Sequence, residues 1–246
     1  MVLVCAPLQF LALKARRGGV IPHFYHRAAC ALLGVRIRRV GALSARRPLL
    51  LTSNHSSWLD ITVLAAAMPV SFVAKSEVGQ WPGIGFLARL SRTIFVDRTR
   101  RSATGATARE IGARMAAGEA VVLFAEGTSS DHNRVLPFRS ALIGAAREAM
   151  AGSGAEAVYV QPVSVAYPRR GGLPVLRRER PGIAWYGAMT LPAHLWAMLK
   201  TGGPEAVVSF GAPILVDART DRKVVTARAE REVRAMTRAA LRPGSA

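Results

Sequence analysis

The stretch Leu49-Leu50-Leu51-Thr52-Ser53-Asn54-His55-Ser56-Ser57-Trp58-Leu59-Asp60, followed by the apolar segment Ile61–Met68, sets fold and chemistry together. Leu49–Thr52 is a short apolar run behind Pro48 and reads as a strand, while Ile61–Met68 reads as a helix that stops before Pro69. His55 directly follows the strand and Asp60 comes five residues later. On one continuous helix that spacing separates side chains by about 140°, so the two would not meet. With His55 on the strand-to-helix turn and Asp60 in the first helical turn, they can. Ser57-x-x-Asp60 has the form of a capping box, which places that first turn independently. Asp60 would then accept a hydrogen bond from one imidazole nitrogen, fix the tautomer and raise the basicity of the other nitrogen. That second nitrogen can take a proton from a substrate hydroxyl. Read alone, the same residues describe no more than a helix cap beside a hydrogen-bonded histidine.

Two further strand ends change the balance. Thr93-Ile94-Phe95-Val96-Asp97-Arg98 is a strand leaving on Asp-Arg, and an arginine there can hold a phosphate through its planar fork of donors. Val121–Phe124 is another strand, running into Ala125-Glu126-Gly127-Thr128. That exit offers a carboxylate, a glycine permitting close backbone approach, and a hydroxyl. Each set is weak by itself, since Asp97 could pair with Arg98 or Arg100 and many strands end in a glycine turn. Together they would converge on the carboxyl edge of an α/β sheet, where such folds bind ligands.

The remaining chain supports that architecture. Strands are expected at Val70–Ala74, Ala157–Ala166 (carrying Pro162), Ile183–Tyr186 and Ala206–Phe210. Helices are expected around Phe86–Leu90, at Thr104–Ala117 before Gly118, at Ser140–Met150 and from about Asp221 to Leu241. Strands separated by helices imply a layered α/β domain with crossovers. At roughly 100° per residue the last helix gathers Val225, Ala229, Val233, Met236 and Ala240 on one side. Arg228, Arg231, Arg234, Arg238 and Arg242 fall opposite, giving a basic outer face.

Half of the 246 residues are hydrophobic, enough for a buried core and too apolar for disorder. Two cysteines, Cys5 and Cys30, exclude a disulfide framework and a four-cysteine zinc site. His23-x2-His26 has no acidic ligand nearby and is expected at the surface, so no metal is implied. The net charge of +19 points to anionic partners. Nucleic acid is not expected: the chain shows no recognition motif, and its aromatic residues, 7% of the total, are concentrated in apolar runs.

Residues 1–59 carry nine bases and no acid, so nearly half of the net charge sits in a quarter of the chain. The same quarter holds the apolar run Met1–Leu13, broken only by Gln9. As a helix it would be about 20 Å long, short of a hydrocarbon core of about 30 Å. It runs into Lys14, Arg16 and Arg17, then into a second aromatic-bearing stretch, Pro22–Leu33. The expectation is a monotopic helical membrane anchor over residues 1–40, its bases on anionic lipid, ahead of a catalytic domain over 41–246.

The motifs resemble those of the glycerolipid acyltransferases, the lysophosphatidic-acid acyltransferase family of membrane-associated enzymes. Asn54-His55-Ser56-Ser57-Trp58-Leu59-Asp60 matches the family's first motif, Asn-His-x4-Asp; Ile94-Phe95-Val96-Asp97-Arg98 matches the second, and Phe124-Ala125-Glu126-Gly127-Thr128 the third. Leu136-Pro137-Phe138-Arg139 resembles the segment that follows, and Val160-Gln161-Pro162-Val163 the fourth motif. The resemblance implies a mixed sheet flanked by helices and acyl transfer from an acyl thioester, acyl-CoA or acyl carrier protein, to the free hydroxyl of 1-acyl-sn-glycerol-3-phosphate. The product would be phosphatidic acid, made at the cytoplasmic face of a bacterial inner membrane. It implies His55 as general base, Asp60 as its orienting partner, and Arg98, Glu126, Gly127, Thr128 and Arg139 around the acceptor's head group. No cofactor is implied beyond the acyl donor. The residues agree on mechanism: no Gly-x-Ser-x-Gly elbow is present, and both cysteines fall in the expected anchor segment, which favours direct attack by the acceptor hydroxyl. Two departures leave the acceptor open. Ser129 stands where the family often has arginine, and Arg92 where a glycine often opens the second motif. Lyso-ornithine lipid, acylated by enzymes of the same family in some bacteria, is the alternative acceptor.

Overall fold

The computed structural model describes residues 20–81, 83–96, 101–140, 150 and 155–242. In chain order the elements are α1 (Val20–Leu32), β1 (Arg36–Val40), β2 (Leu49–Ser53), α2 (Leu59–Ala67), β3 (Ser71–Lys75), α3 (Ile84–Leu90), β4 (Ile94–Val96), α4 (Arg101–Ala116) and β5 (Ala120–Phe124). They continue with β6 (Ala157–Arg170), β7 (Leu173–Pro174), α5 (Leu191–Thr201), β8 (Pro204–Phe210), β9 (Ile214–Asp217) and α6 (Arg222–Ala240). The strands form one mixed sheet in the order β1-β8-β6-β2-β5-β3-β4, with β7 and β9 also paired to β6. The run β6-β2-β5-β3-β4 is parallel, whereas β8, β9 and β7 meet β6 antiparallel.

The sheet is covered on both faces, which is why β2 and β5 are buried at every position rather than at alternate ones. Leu49, Leu51, Val122 and Phe124 pack with α2 and Cys30 of α1, while Leu50, Val121 and Leu123 pack with Ile111 and Met115 of α4 and Val225, Ala229 and Val233 of α6. The last helix has the expected polarity: its apolar stripe is buried, and Arg228, Arg231 and Arg238 face outward. Asp221 caps it by accepting the Lys223 N–H at 2.8 Å.

Pro162 sits inside β6 without disrupting it. Its carbonyl accepts the Gly211 N–H at 2.8 Å, so its missing N–H falls on the edge where β8 ends and β9 begins. Neighbouring Gln161 is buried, and its amide donates to the Ala42 and Gly211 carbonyls and accepts from the Ser44 N–H. The polar residue of this segment, opposite Leu51 in the middle of β2, therefore ties the β1–β2 and β8–β9 connections together.

Three expectations are corrected or bounded. Ile183–Tyr186 is not a strand: the Ile183 and Ala184 N–H groups bond to the Arg180 carbonyl and the Trp185 N–H to the Ser56 carbonyl. Its burial comes from packing over the first motif, not from sheet pairing. The pair His23 and His26 is not at the surface, because a spacing of three puts both on the face of α1 that docks on its neighbours. His23 bonds to the Ala65 carbonyl at 2.8 Å, and buried His26 meets Ser91 Oγ at 2.9 Å. Burial, reinforced by His23, lowers the His26 pKa to about 4. The helix expected at Ser140–Met150 falls largely on 141–149, outside the described residues.

Of the segment expected as anchor, residues 1–19 lie outside the described part. The remainder is built into the domain: α1 packs on α2, and β1 pairs in parallel with β8, Arg36 opposite Glu205, so the sheet begins before residue 41. No helix among the described residues is long and apolar enough to cross a membrane.

Candidate active site

Strands β2 and β5 lie side by side in parallel with Ser53 opposite Phe124. They therefore end at one level, and Asn54-His55 leaves the carboxyl edge beside Ala125-Glu126. The junction is fastened on both sides. The Asn54 amide donates to the Val165 carbonyl and accepts the Val165 N–H of β6, both at 2.9 Å. From the β5 side, the Ser130 N–H reaches the His55 carbonyl at 2.9 Å, and the His55 N–H donates to Glu126 Oε1 at 3.1 Å. The His55 ring stacks on Phe124 with centroids 4.0 Å apart, leaving its side chain 18% accessible.

His55 Nδ1 lies 3.0 Å from Asp60 Oδ2, the approach expected from a turn followed by a first helical turn. Asp60 is wholly buried and is met by three more donors: the Ser56 N–H (2.7 Å) and Ser57 N–H (2.9 Å) on Oδ2, and the Tyr167 hydroxyl (2.6 Å) on Oδ1. Burial alone would raise its pKa, but His55, the Ser56 N–H and the Tyr167 hydroxyl together hold the carboxyl below its ordinary range. A carboxylate in this position requires the proton on Nδ1 and leaves the Nε2 lone pair available. Only half of the anticipated capping box forms. Asp60 reaches back to the Ser57 N–H, while Ser57 Oγ meets the Leu59 N–H at 3.4 Å and not that of Asp60.

Two members of this network carry no signal in the local sequence. Buried His132 accepts the Tyr167 N–H at Nε2 (3.0 Å), so its Nδ1 carries a hydrogen and donates to Ser56 Oγ, also at 3.0 Å. Burial, the largest effect, lowers its pKa to about 4 and keeps it neutral. With the Tyr167–Asp60 and Ser56–Asp60 bonds this closes a ring that joins the first motif to β6. Tyr167 shares a sheet face with Val163 and Val165, which places its phenol among buried apolar neighbours.

The third-motif residues are placed as follows. Glu126 is buried, and its pKa rises to about 8, chiefly through burial and further through Asp60, against the pull of the His55 and Leu136 N–H groups. Gly127 has a φ of 72°, and a β-carbon there would stand 3.0 Å from Arg139 Nε, so the bare backbone is what admits the arginine. Thr128 and Arg139 are exposed beside it, and the Arg139 N–H holds the Ala125 carbonyl at 2.9 Å. The structure thus brings His55, Asp60, Glu126, Gly127, Thr128 and Arg139 to one edge. Arg98 lies outside the described residues. Among the described residues no group of three or more histidine, cysteine, aspartate and glutamate side chains is placed to hold a metal.

The displaced Glu126 ionisation has a consequence for stability. Between pH 4.5, its ordinary value, and about 8 the folded chain keeps a proton that the unfolded chain has released. This contribution to stability therefore falls as pH rises through that window and is fully lost above it. Glu126→Gln keeps an oxygen for the His55 N–H and removes the ionisation. Thermal melts at about pH 5 and about pH 9 are expected to show the variant gaining on the wild type at the higher pH; equal pH dependence would refute the assignment.

The chain is similar to known proteins along most of its length. A family model described as Acyltransferase matches residues 34–166. The lyso-ornithine lipid O-acyltransferase of Brucella abortus (strain 2308) is 49% identical over 96% of this chain and 89% of its own length. The 1-acyl-sn-glycerol-3-phosphate acyltransferase of Neisseria gonorrhoeae is 30% identical over 91% of this chain and 82% of its own. The crystal structure of the 1-acyl-sn-glycerophosphate (LPA) acyltransferase PlsC from Thermotoga maritima shares the fold, with a TM-score of 0.66 at 20% identity over 96% of this chain and 86% of that one. With its first and third motifs meeting at one sheet edge and its sequence matched along nearly its whole length, the chain belongs to the acyltransferase family.

Proposed function

We propose that the chain transfers an acyl group from an acyl thioester to the free hydroxyl of lyso-ornithine lipid. The observation that carries acyl transfer is the His55–Asp60 contact at 3.0 Å beside Glu126, with Nε2 unengaged by Asp60. The acceptor hydroxyl gives its proton to His55 Nε2 as its oxygen attacks the thioester carbonyl. Collapse of the tetrahedral intermediate expels the thiolate of CoA or acyl carrier protein, which takes that proton from the imidazolium. Asp60 steadies the imidazolium in between, and Arg98, Arg139 and the Glu126-Gly127-Thr128 turn serve the acceptor's head group.

The acceptor assignment departs from 1-acyl-sn-glycerol-3-phosphate, the first expectation from the motifs. The relatives named for lyso-ornithine lipid reach 49% identity, against 30% for those named for the glycerophosphate. Ser129 in place of the frequent arginine weakens the case for a phosphate in the same direction. As a lipid enzyme the protein would work on the cytoplasmic face of a bacterial inner membrane, with residues 1–19 contributing an anchor. Purified chain offered both lysolipids with acyl-CoA and acyl carrier protein donors is expected to acylate lyso-ornithine lipid; acylation of the glycerophosphate alone would overturn the assignment.

A further inference from the structure

Helix α5 is apolar on two faces and only one of them is packed. His194 and Met198 point inward, with His194 Nδ1 accepting the Trp58 indole N–H at 3.0 Å. The outward face carries Trp196, 61% exposed, and Leu199, 51% exposed, with the Lys200 ammonium 5.3 Å from the Trp196 ring centroid. A helix greasy all round is stable only against an apolar medium. Tryptophan and leucine flanked by a lysine stem suit the boundary between acyl chains and head groups.

The strap linking β6 to α5 has the same character. Beyond the turn at Gly171-Gly172 it exposes Leu173 and Leu176, followed directly by exposed Arg177 and Arg178. Residues 168–203 hold six bases (Arg169, Arg170, Arg177, Arg178, Arg180, Lys200) and one acid, Glu179. That carboxylate turns back to accept the Leu176 N–H at 2.9 Å. Both elements are fixed to the motif around the histidine: the strap through the Trp185 N–H to the Ser56 carbonyl at 2.7 Å, and α5 through Trp58.

We infer that the outer face of α5 and the Leu173–Arg178 segment dock on an anionic lipid surface, setting the His55 edge against the membrane that holds the acceptor. The inference rests on the reading of the acceptor as a membrane lipid, and it is separate from any anchoring by residues 1–19. Apolar side chains bordered by bases match an anionic bilayer in both respects, whereas an acidic protein partner would use the bases and leave Trp196 and Leu199 without a medium.

The test uses the full chain with phosphatidylcholine–phosphatidylglycerol vesicles carrying acyl-brominated lipid. Bromine is expected to quench tryptophan emission, and Trp196→Phe to remove most of that quenching, with Trp58, Trp81 and Trp185 remaining. Trp196→Ser with Leu199→Ser is expected to weaken vesicle partitioning about tenfold or more. The same double variant should transfer poorly to vesicle-borne lyso-ornithine lipid but normally to detergent-dispersed acceptor. Quenching unchanged by Trp196→Phe, or a Trp196 shielded by a second copy, by residues 1–19 or by added acyl carrier protein, would overturn the inference. If lyso-ornithine lipid is not acylated at all while Trp196 is still quenched, the acceptor reading fails and the docking face stands.

Discussion

Asp60→Asn is expected to lower kcat/KM by about 10²–10³-fold while leaving the fold assembled. The amide has the carboxylate's shape and can keep its oxygen toward the Ser56 and Ser57 N–H groups and His55 Nδ1. Its NH2 then faces the Tyr167 hydroxyl, which accepts as readily as it donates. What disappears is the negative charge that stabilises the imidazolium as the acceptor's proton arrives, so the loss falls on kcat. A second effect tests the same carboxylate without substrate. Because the folded pKa of Asp60 lies below its ordinary 3.8, its ionisation stabilises the fold at neutral pH and stops doing so as pH falls through the folded value. Denaturant melts should therefore show Asp60→Asn less stable than wild type at neutral pH, the gap closing in acid. Near-wild-type turnover in the variant would remove Asp60 from the mechanism.

What could be read from the sequence was what short stretches decide. Leu49–Asp60 carries its strand, turn and helix start within a dozen residues, and so the His55–Asp60 contact follows from spacing and one capping pattern. The angular segregation of valines and arginines in α6 is local in the same way. The missed features depend on distant partners. Tyr167 lies 107 residues from Asp60 and His132 76 from Ser56, and nothing around either position announces the pairing. Ile183–Tyr186 has the apolar look of a strand, yet its N–H groups are taken by Arg180 and Ser56. Helix α5 lacks the one-sided stripe that marks a surface helix, since Trp196 and Leu199 are apolar on the side away from buried His194 and Met198. His23 and His26 looked superficial because burial of a histidine pair depends on which neighbour covers the helix, here α2 and Ser91.

His55 itself bears the largest expected effect. Its alanine variant should fold, because the backbone bonds from Ser130 and to Glu126 do not involve the ring, and the imidazole's contribution is one stack on Phe124 and one bond to Asp60. Losing the general base costs roughly 10²–10⁴-fold in rate, on kcat rather than on acceptor binding. Vesicle binding, which is assigned to other residues, should be unchanged. The direct measurement is acyl transfer to lyso-ornithine lipid by purified wild type and His55→Ala at matched vesicle binding. Transfer by the wild type and a loss of at least about a hundredfold in the variant are expected; comparable transfer by the two would remove His55 as the general base.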